Sequence, residues 1–473
     1  MKIDNRFSVT ERMLEEVVAE GLKYGGDWCD LYFEDSSYYE LLLRDGEVTS
    51  GGHHIDFGAG IRVLKGDKTG YAYAETTDRK SLLAAAGTAA AIASMAGDEA
   101  KTFRGTPTSA MKVSDKCYNA RLDWRNACIS GFIPFLKRID SGIRQRDSRV
   151  IKVVASLSYS ISEIMMYNSL GELTSDSRPL GSVSVQTIFR QGDRTEDSSV
   201  SRSLRRGPEM MDESLIEDIV SRAVKGIDAR FEAKRPKGGR MPVVMGAGAS
   251  GILLHEAMGH AFEADFNRKG QSIFSGRLGE QICRKGINIV DDGTLPSSRG
   301  ACRYDDEGVP GQKTYMVTDG VLTSYLHDRI SASYFGVTPT GNGRRESFRY
   351  NPIPRMRATY MESGTDGRLE DLIASVKRGI YVDQFANGQV KIGEGDFTFY
   401  VKNGALIENG RLTMPVKDIN IIGNGPQALA DIIAVAGDLK VDEGTWTCGK
   451  EQSVPVSCGI PSVLIKALTV GGE

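Results

Sequence analysis

The stretch Gly251-Ile-Leu-Leu-His-Glu-Ala-Met-Gly-His-Ala-Phe-Glu-Ala-Asp265 constrains this chain more than any other. The apolar run Ile252, Leu253, Leu254 opens a helix. Two of the chain's five histidines, His255 and His260, follow on it, with Glu256 beside the first. Two imidazoles and a carboxylate are what a metal-dependent hydrolase places on one helix, the imidazoles to hold a cation and the carboxylate to deprotonate its bound water. In His-Glu-x-x-His the two rings stand about 40° apart around an ideal helix; the i, i+5 spacing here puts them about 140° apart, too far round to share one ion. If both are ligands, the helix must distort or end between them. Gly259 is where the sequence permits this, through a π-type turn or a helix end. His255 and His260 are then neutral metal ligands and Glu256 the general base. Glu263 and Asp265 either accept hydrogen bonds from the ligand histidines or are solvated charges at a helix end.

A catalytic zinc takes three protein ligands and a water, so a third donor is required. The donors on offer are His327, Cys302, Cys448, Cys458 and many carboxylates. Cys448 stands in the polar, glycine-flanked Thr445-Trp-Thr-Cys-Gly-Lys-Glu451, and Cys458 in the apolar approach to the last strand. A loop thiolate reaches a metal more readily than a packed one. Elsewhere, Thr338-Pro-Thr-Gly-Asn-Gly-Arg-Arg-Glu-Ser347 reads as a tight loop whose donors face an anion or a carbonyl, which makes Asn342, Arg344 and Arg345 candidates for positioning substrate or an oxyanion. Taken alone it reads more simply as a surface turn with solvated arginines. Asp291-Asp-Gly293 and Asp305-Asp-Glu-Gly308 read as solvated acidic loops rather than calcium sites. His53 and His54, adjacent in a strand, point to opposite faces, which argues against a second metal pair. The 338–347 loop has the spacing of neither a Walker nor a Rossmann phosphate loop, and the chain has no Gly-x-Ser-x-Gly elbow.

At 473 residues the chain is expected to form two or more domains. A net charge of −3 gives no support for a nucleic-acid partner or a polybasic membrane surface. No apolar run approaches the ~20 residues of a membrane helix, and Met1-Lys-Ile-Asp-Asn-Arg-Phe7 lacks the apolar core of a signal peptide. Seven scattered cysteines fit a reducing compartment, so a cytoplasmic location is expected.

Fifty-four glycines point to turn-rich β architecture. A capping box, Ser8-Val-Thr-Glu11, opens a helix that Gly25-Gly26 stops. Strands are expected over 28–33 and 38–43, a turn at Asp45-Gly46, and a hairpin over 61–64 and 70–75. An alanine-rich helix over 78–95 and a connection over 100–116 follow. A helix over 121–147 should be kinked at Pro134; then come an antiparallel meander over 150–202 and a helix over 213–231. The polar Lys234-Arg-Pro-Lys-Gly-Gly-Arg240 marks a boundary, giving an N-terminal α+β domain, 1–237, and a C-terminal β-rich domain, 238–473. The second has strands over 241–245, 287–290, 314–317, 321–326, 381–385, 390–392, 397–401, 405–408 and 462–469, and helices over 368–377 and 426–433. Asp319-Gly320, Asn387-Gly388, Asn403-Gly404 and Asn409-Gly410 are read as its turns. The fold class is α+β.

Four stretches together resemble the TldD/PmbA family: 255–265, Asp305-Asp-Glu-Gly-Val-Pro-Gly-Gln312, 338–347, and Cys448-Gly-Lys-Glu-Gln-Ser-Val-Pro-Val456 through Leu468-Thr-Val-Gly-Gly472. The resemblance is close from about residue 241 onward. It is looser earlier, at Asp56-Phe-Gly-Ala-Gly-Ile-Arg-Val63 and Lys68-Thr-Gly-Tyr-Ala-Tyr-Ala74. It implies a metallopeptidase, of a family often labelled modulators of DNA gyrase, that acts on flexible peptides, including the maturation of a gyrase-targeting peptide. It further implies zinc held by His255, His260 and Cys448, with Glu256 as general base. The family pairs a motif-bearing subunit with a paralogue that has lost the motif; this chain keeps it and so resembles the active, TldD-like member. A homodimer is the other arrangement to expect. The competing expectations are a non-enzymatic regulatory or assembly partner with a structural metal, and a metal-dependent amidase acting on small molecules.

Overall fold

A computed structural model describes residues 4–95, 102–391 and 394–472. Long alternating runs build the first sheet from β1 (Trp28–Arg44), β2 (Glu47–Lys65), β3 (Lys68–Ala74), β4 (Val150–Asn168), β5 (Leu173–Gln191) and β6 (Arg194–Leu204). All pairs are antiparallel, in the order β3-β2-β1-β4-β5-β6. Side chains alternate across a strand, so on β1 the odd-numbered Cys29, Leu31, Phe33, Leu41 and Leu43 share one apolar face. Helices Glu11–Leu22 and Arg79–Ser94 cover one half of that face; helices Ile133–Arg146 and Glu213–Val224 cover the other.

The opposite face is polar yet buried, because the second half of the chain lies against it. Asp30, Glu34 and Ser36 of β1 are all buried. Arg62 of β2 lies wholly buried between Asp30 and Glu307, at 2.6 Å from each carboxylate. The Phe348 amide donates to Glu34 at 2.8 Å, and Arg178 of β5 pairs with Asp306 at 2.5 Å.

The second half contains a closed ring of five strands: Gly239–Met245, Val463–Gly471, Asn420–Asn424, Asp396–Glu408 and Arg378–Val390, the last pairing back to the first. Beside it stands a six-stranded sheet whose centre is Ile289–Asp292, Ala358–Met361 and Ser457–Ile460. The helix Ile252–Ala257 is held between the two: Leu253, Leu254 and Met258 share one core with Val382, Phe385, Phe399 and Ile460. The architecture is α+β. No described helix is long and apolar enough to cross a membrane.

Several elements depart from the sequence pattern, each for a local reason. Residues 28–33 and 38–43 are one strand. The first helix is capped by Thr10, whose hydroxyl accepts from the Met13 amide, rather than by Ser8. The expected 121–147 helix begins only at Ile133. Pro134 lies in its first turn, where a missing N–H leaves no bond unmade, so nothing kinks. Gly226, at φ +77°, breaks 213–231 into Glu213–Val224 and Ile227–Glu232. The strand expected over 321–326 is only Val321–Leu322; the helices at 368–377 and 426–433 are the shorter Leu369–Ala374 and Gly425–Ala430. Asn387-Gly388 and Asn403-Gly404 lie inside long strands and are not turns. A Cβ at 388 would strike the Phe399 ring, and one at 404 would meet the Tyr381 carbonyl at 2.6 Å, so these glycines allow close approach between strands. Asp319-Gly320 and Asn409-Gly410 do turn, with positive φ at both residues. Ile392 of the expected strand 390–392, residues 100 and 101 of the connection, and residues 1–3 lie outside the described residues.

The buried joint gives a first test. Arg62→Met leaves Asp30 and Glu307 without their shared cation, and is expected to destabilise the chain by about 3–5 kcal/mol. Denaturant unfolding of the full chain measures this, and an unchanged midpoint would contradict it.

Candidate metal centre

The helix that carries His255 stops at Ala257. Met258, at φ −131° and ψ −40°, leaves helical geometry, and a 3₁₀ turn, Gly259–Phe262, follows. Two glycines let this segment press against its neighbours. A Cβ at 251 would meet the Gly459 backbone at 2.8 Å, and a Cβ at 259 would collide with the Met356 sulfur. The break swings His260 round to the side of His255, with ring centroids 5.5 Å apart and planes at 77°. Both histidines are buried. Cys448, also buried, arrives on the hairpin Thr447–Lys450/Gln452–Pro455, and its Sγ lies 3.2 Å from His260 Nε2. One donor atom from each of His255, His260 and Cys448 lies within 4.8 Å of the other two.

Behind the three donors runs a chain of charges. His260 Nδ1 lies 2.9 Å from Glu263 Oε2, and Lys450 Nζ lies 2.9 Å from the same oxygen and 2.8 Å from Asp265 Oδ1. Burial alone would raise the Glu263 carboxyl; the Lys450 ammonium and His260 instead hold it well below the usual carboxylate range. Burial would lower His260, but Glu263 and Cys448 hold it up at about 10. Burial would raise the Cys448 thiol; attraction to His255, together with the hydrogen bond to His260 and attraction to that ring, brings it down to about 4, so it stands as a thiolate. Arg355 fixes the hairpin by its backbone, donating to the carbonyls of Cys448 (2.7 Å), Gln452 (2.7 Å) and Lys450 (3.3 Å).

His255 is wholly buried, and neither of its ring nitrogens has a hydrogen-bond partner. Native structures seldom leave such groups unsatisfied, because each costs about 1–3 kcal/mol. A divalent metal resolves the cost by taking a nitrogen lone pair, and two imidazoles with a thiolate form a donor set suited to such an ion. The residues fit the group. Glu256, its side chain 31% exposed, holds Oε2 3.7 Å from His260 Nε2, so it joins the cluster to solvent.

The other sequence candidates lie elsewhere. His327 is buried against the Ser331 hydroxyl, 3.2 Å away, and burial lowers it to about 4. Cys302 and Cys458 are fully buried, burial pushes both thiols up, and neither joins the three donors. The loop around Asn342 is not a solvated turn. Asn342 Nδ2 donates to Asp291 (2.7 Å) and to the Arg355 carbonyl (3.0 Å); Arg344 donates to the carbonyls of Met356 and Pro455; Arg345 donates to the Tyr71 hydroxyl and the Asp306 carbonyl. Nor are the acidic stretches solvated, since Asp291 and Asp305 are buried acceptors of backbone amides. His53 and His54 stack on Tyr39 and Tyr38 respectively.

Lys450 and Arg355 were not anticipated. The first was readable, because residues i and i+2 of a strand face the same way, so a ligand at 448 brings 450 along. Nothing local distinguishes Arg355. A cleft of about 740 Å³ lies between the polar face of the first sheet and the second half of the chain; Arg344 and Arg345 line it, as does Thr447. His255, Glu256, His260 and Cys448 do not, since Cys448 points to the opposite side of its strand from Thr447.

Comparison with known proteins covers almost the whole chain. The family model for the PmbA/TldA metallopeptidase C-terminal domain matches residues 238–472; those for domain 1 and the central domain match 29–93 and 127–229. The chain is similar to a metalloprotease TldD homolog of Haemophilus influenzae, 40% identical over 454 residues, 94% of this chain and 93% of that protein. It is 32% identical over 295 residues to a zinc metalloprotease TldD homolog of Saccharolobus solfataricus, 62% of this chain and 65% of that protein. Two solved structures share the fold. One is a Thermotoga maritima protein named as a modulator of a DNA gyrase, with a TM-score of 0.78 and 23% identity, covering 98% of this chain and 100% of that one. The other is TldE from Thermococcus kodakarensis, with a TM-score of 0.77 and 20% identity, covering 97% and 100%.

The collision at position 259 is testable. Gly259→Ala should cost about 1–3 kcal/mol through overpacking against Met356. The double variant with Met356→Ala should cost less than the sum of the two single changes. Thermal unfolding of the four proteins checks this; strict additivity would contradict it.

Proposed function

The chain belongs to the TldD/PmbA metallopeptidase family and is a metallopeptidase; from that premise we propose that it is a zinc-dependent peptidase acting on flexible or unfolded polypeptides, with His255, His260 and Cys448 as the metal ligands and Glu256 as general base. The observation that carries the proposal is the buried His255–His260–Cys448 cluster, with its unsatisfied imidazole and its one solvent-reaching carboxylate. Three protein donors are the catalytic pattern, whereas structural zinc sites close with four. A zinc ion bound there would supply Lewis acidity toward the scissile carbonyl and toward water.

The chain's own groups do the rest. Glu263 accepts from His260 Nδ1, so that Nε2 faces Cys448; Lys450 neutralises Glu263 and keeps it ionised. Arg355 fixes the height of the Cys448 backbone. Glu256 Oε2, the oxygen nearest His260, accepts a proton from the attacking water and returns it to the leaving amine. An extended peptide binds through its backbone, by strand addition to an open sheet edge.

A second subunit of the same fold, either a paralogue without the motif or another copy of this chain, completes the assembly; the fold shared with TldE supports this. Two domains, 1–237 and 238–473, are the organisation we favour, supported by a first sheet built wholly within 28–204 and the C-terminal family match over 238–472. The seven cysteines, all free thiols, support a cytoplasmic setting.

Glu256→Gln should retain one metal per chain by elemental analysis and lose on the order of 10²–10⁴-fold in hydrolysis of a disordered polypeptide such as casein. Full activity in that variant would remove Glu256 from the role of base.

A further inference from the structure

The cleft between the first sheet and the second half of the chain plays no part in the chemistry above, yet its charge is unusual. Seven arginines and five carboxylates line its volume of about 740 Å³. Four of the carboxylates are already engaged: Asp306 by Arg178 and the Arg345 amide, Asp56 by Arg349, Glu346 by the Ser453 amide, and Glu34 by Ser36 and the Phe348 amide. The fifth, Glu40, is exposed.

Arg205, Arg299, Arg344 and Arg357 are left without a carboxylate within ion-pair reach among the described residues. Arg205 donates to the carbonyls of Arg299 and Pro179. Arg299 donates to the Trp446 carbonyl (2.8 Å) and the hydroxyls of Ser203 (2.6 Å) and Thr447 (3.2 Å). Arg344 donates to the carbonyls of Met356 (2.5 Å) and Pro455 (2.7 Å). Arg357 bonds the Gly341 carbonyl and leaves its buried Nη2 without a partner. Arg205, Arg344 and Arg357 are 6%, 4% and 3% exposed.

Carbonyl dipoles orient these guanidinium groups but do not neutralise them, and buried charge without counter-charge is costly. Burial, with Arg205 as the repelling neighbour, pulls Arg299 down to about 10, and burial with repulsion from Arg357 holds Arg344 well below its usual value; Arg357 itself is held up against its burial by Cys302, Asp306 and Asp305. What completes such a group is a ligand that brings its own anion, for which the planar guanidinium fork is suited. Position ties the cleft to the metal centre. Arg299 and Arg344 bond the Trp446 and Pro455 carbonyls and the Thr447 hydroxyl, on the segments that flank Cys448, from the side opposite its sulfur.

We propose that this cleft seats a carboxylate of the peptide substrate, with Arg205, Arg299 and Arg344 as its ligands. The proposal rests on the peptidase reading and adds a recognition element to it. A carboxylate has two sources in a peptide, the C-terminus and an acidic side chain, and the test separates them.

Three versions of one short peptide are compared at fixed ionic strength: free acid, C-terminal carboxamide, and the free acid with its single Glu replaced by Gln. Hydrolysis is followed on the wild-type chain, and binding of the labelled peptides on Glu256→Gln is followed by fluorescence anisotropy. A charge-assisted anchor predicts KM and Kd on the order of tenfold lower or more for the peptide bearing the recognised carboxylate. A loss confined to the carboxamide assigns the C-terminus, and one confined to the Gln peptide assigns the side chain. In Arg205→Gln the ratio should fall toward one, and Arg205→Lys should restore part of it, which a purely structural role for Arg205 would not do. Equal KM and equal Kd across all three peptides on the unmutated cleft would overturn the proposal. If none of the peptides is cleaved but anisotropy still discriminates among them, it is the peptidase reading that fails and not the anion site.

Discussion

The contact between His260 Nε2 and Cys448 Sγ, 3.2 Å across 188 residues of chain, is the one on which the centre depends. It exists only because two independent pieces of backbone are forced to meet. One is the helix carrying His255, which must stop at Met258 for His260 to turn back. The other is the two-stranded hairpin carrying Cys448, too short to hold itself in place and pinned instead by Arg355 through three backbone carbonyls. Glu263 and Lys450 then tie the two together a second time behind the donors, one salt bridge spanning the same gap as the sulfur contact.

The rest of the fold can be understood as support for that meeting. The helix is gripped between a closed ring of strands and a second sheet, and glycine stands at 251 and 259, where any side chain would hold the surfaces apart. The first sheet contributes no donor to the three-residue cluster. Its buried polar face instead pairs with charges on 305–307 and with the Phe348 amide, which fixes the loops lying next to Arg344, Arg345 and the Cys448 hairpin. A sheet that is apolar on its helix side and polar on its hidden side is what this arrangement requires.

How much of this could be read in the residues varied with distance along the chain. The antiparallel meander and the broken helix were legible, because alternation and the i, i+5 spacing are local properties of the sequence. The arginine-bearing loop reads two ways in sequence, and only the solvated-turn reading fails, since Arg344 and Arg345 are buried donors to carbonyls. Gly-Asn-Gly-Arg-Arg looks like a solvated turn until another part of the molecule is laid over it, and burial of that kind is set by tertiary contact and not by local pattern. The same limit applied at Asn387-Gly388 and Asn403-Gly404. There the dipeptide that favours a tight turn was retained because a neighbouring ring or carbonyl leaves no room for a Cβ. The polar surroundings of Cys448 favour it only slightly over Cys458 as a ligand, and the resemblance to a family is what makes the preference firm. Arg355, which holds the hairpin, carried no local signal at all.

The central claim is that one metal ion is held by two imidazoles and one thiolate brought together from opposite ends of the C-terminal half. X-ray absorption at the zinc edge on the purified full chain tests it most directly. The account predicts a first shell with a single sulfur at about 2.3 Å and two imidazole nitrogens at about 2.0–2.1 Å, completed by lighter oxygen scatterers. A shell of nitrogen and oxygen alone, or one with more than one sulfur, would contradict it.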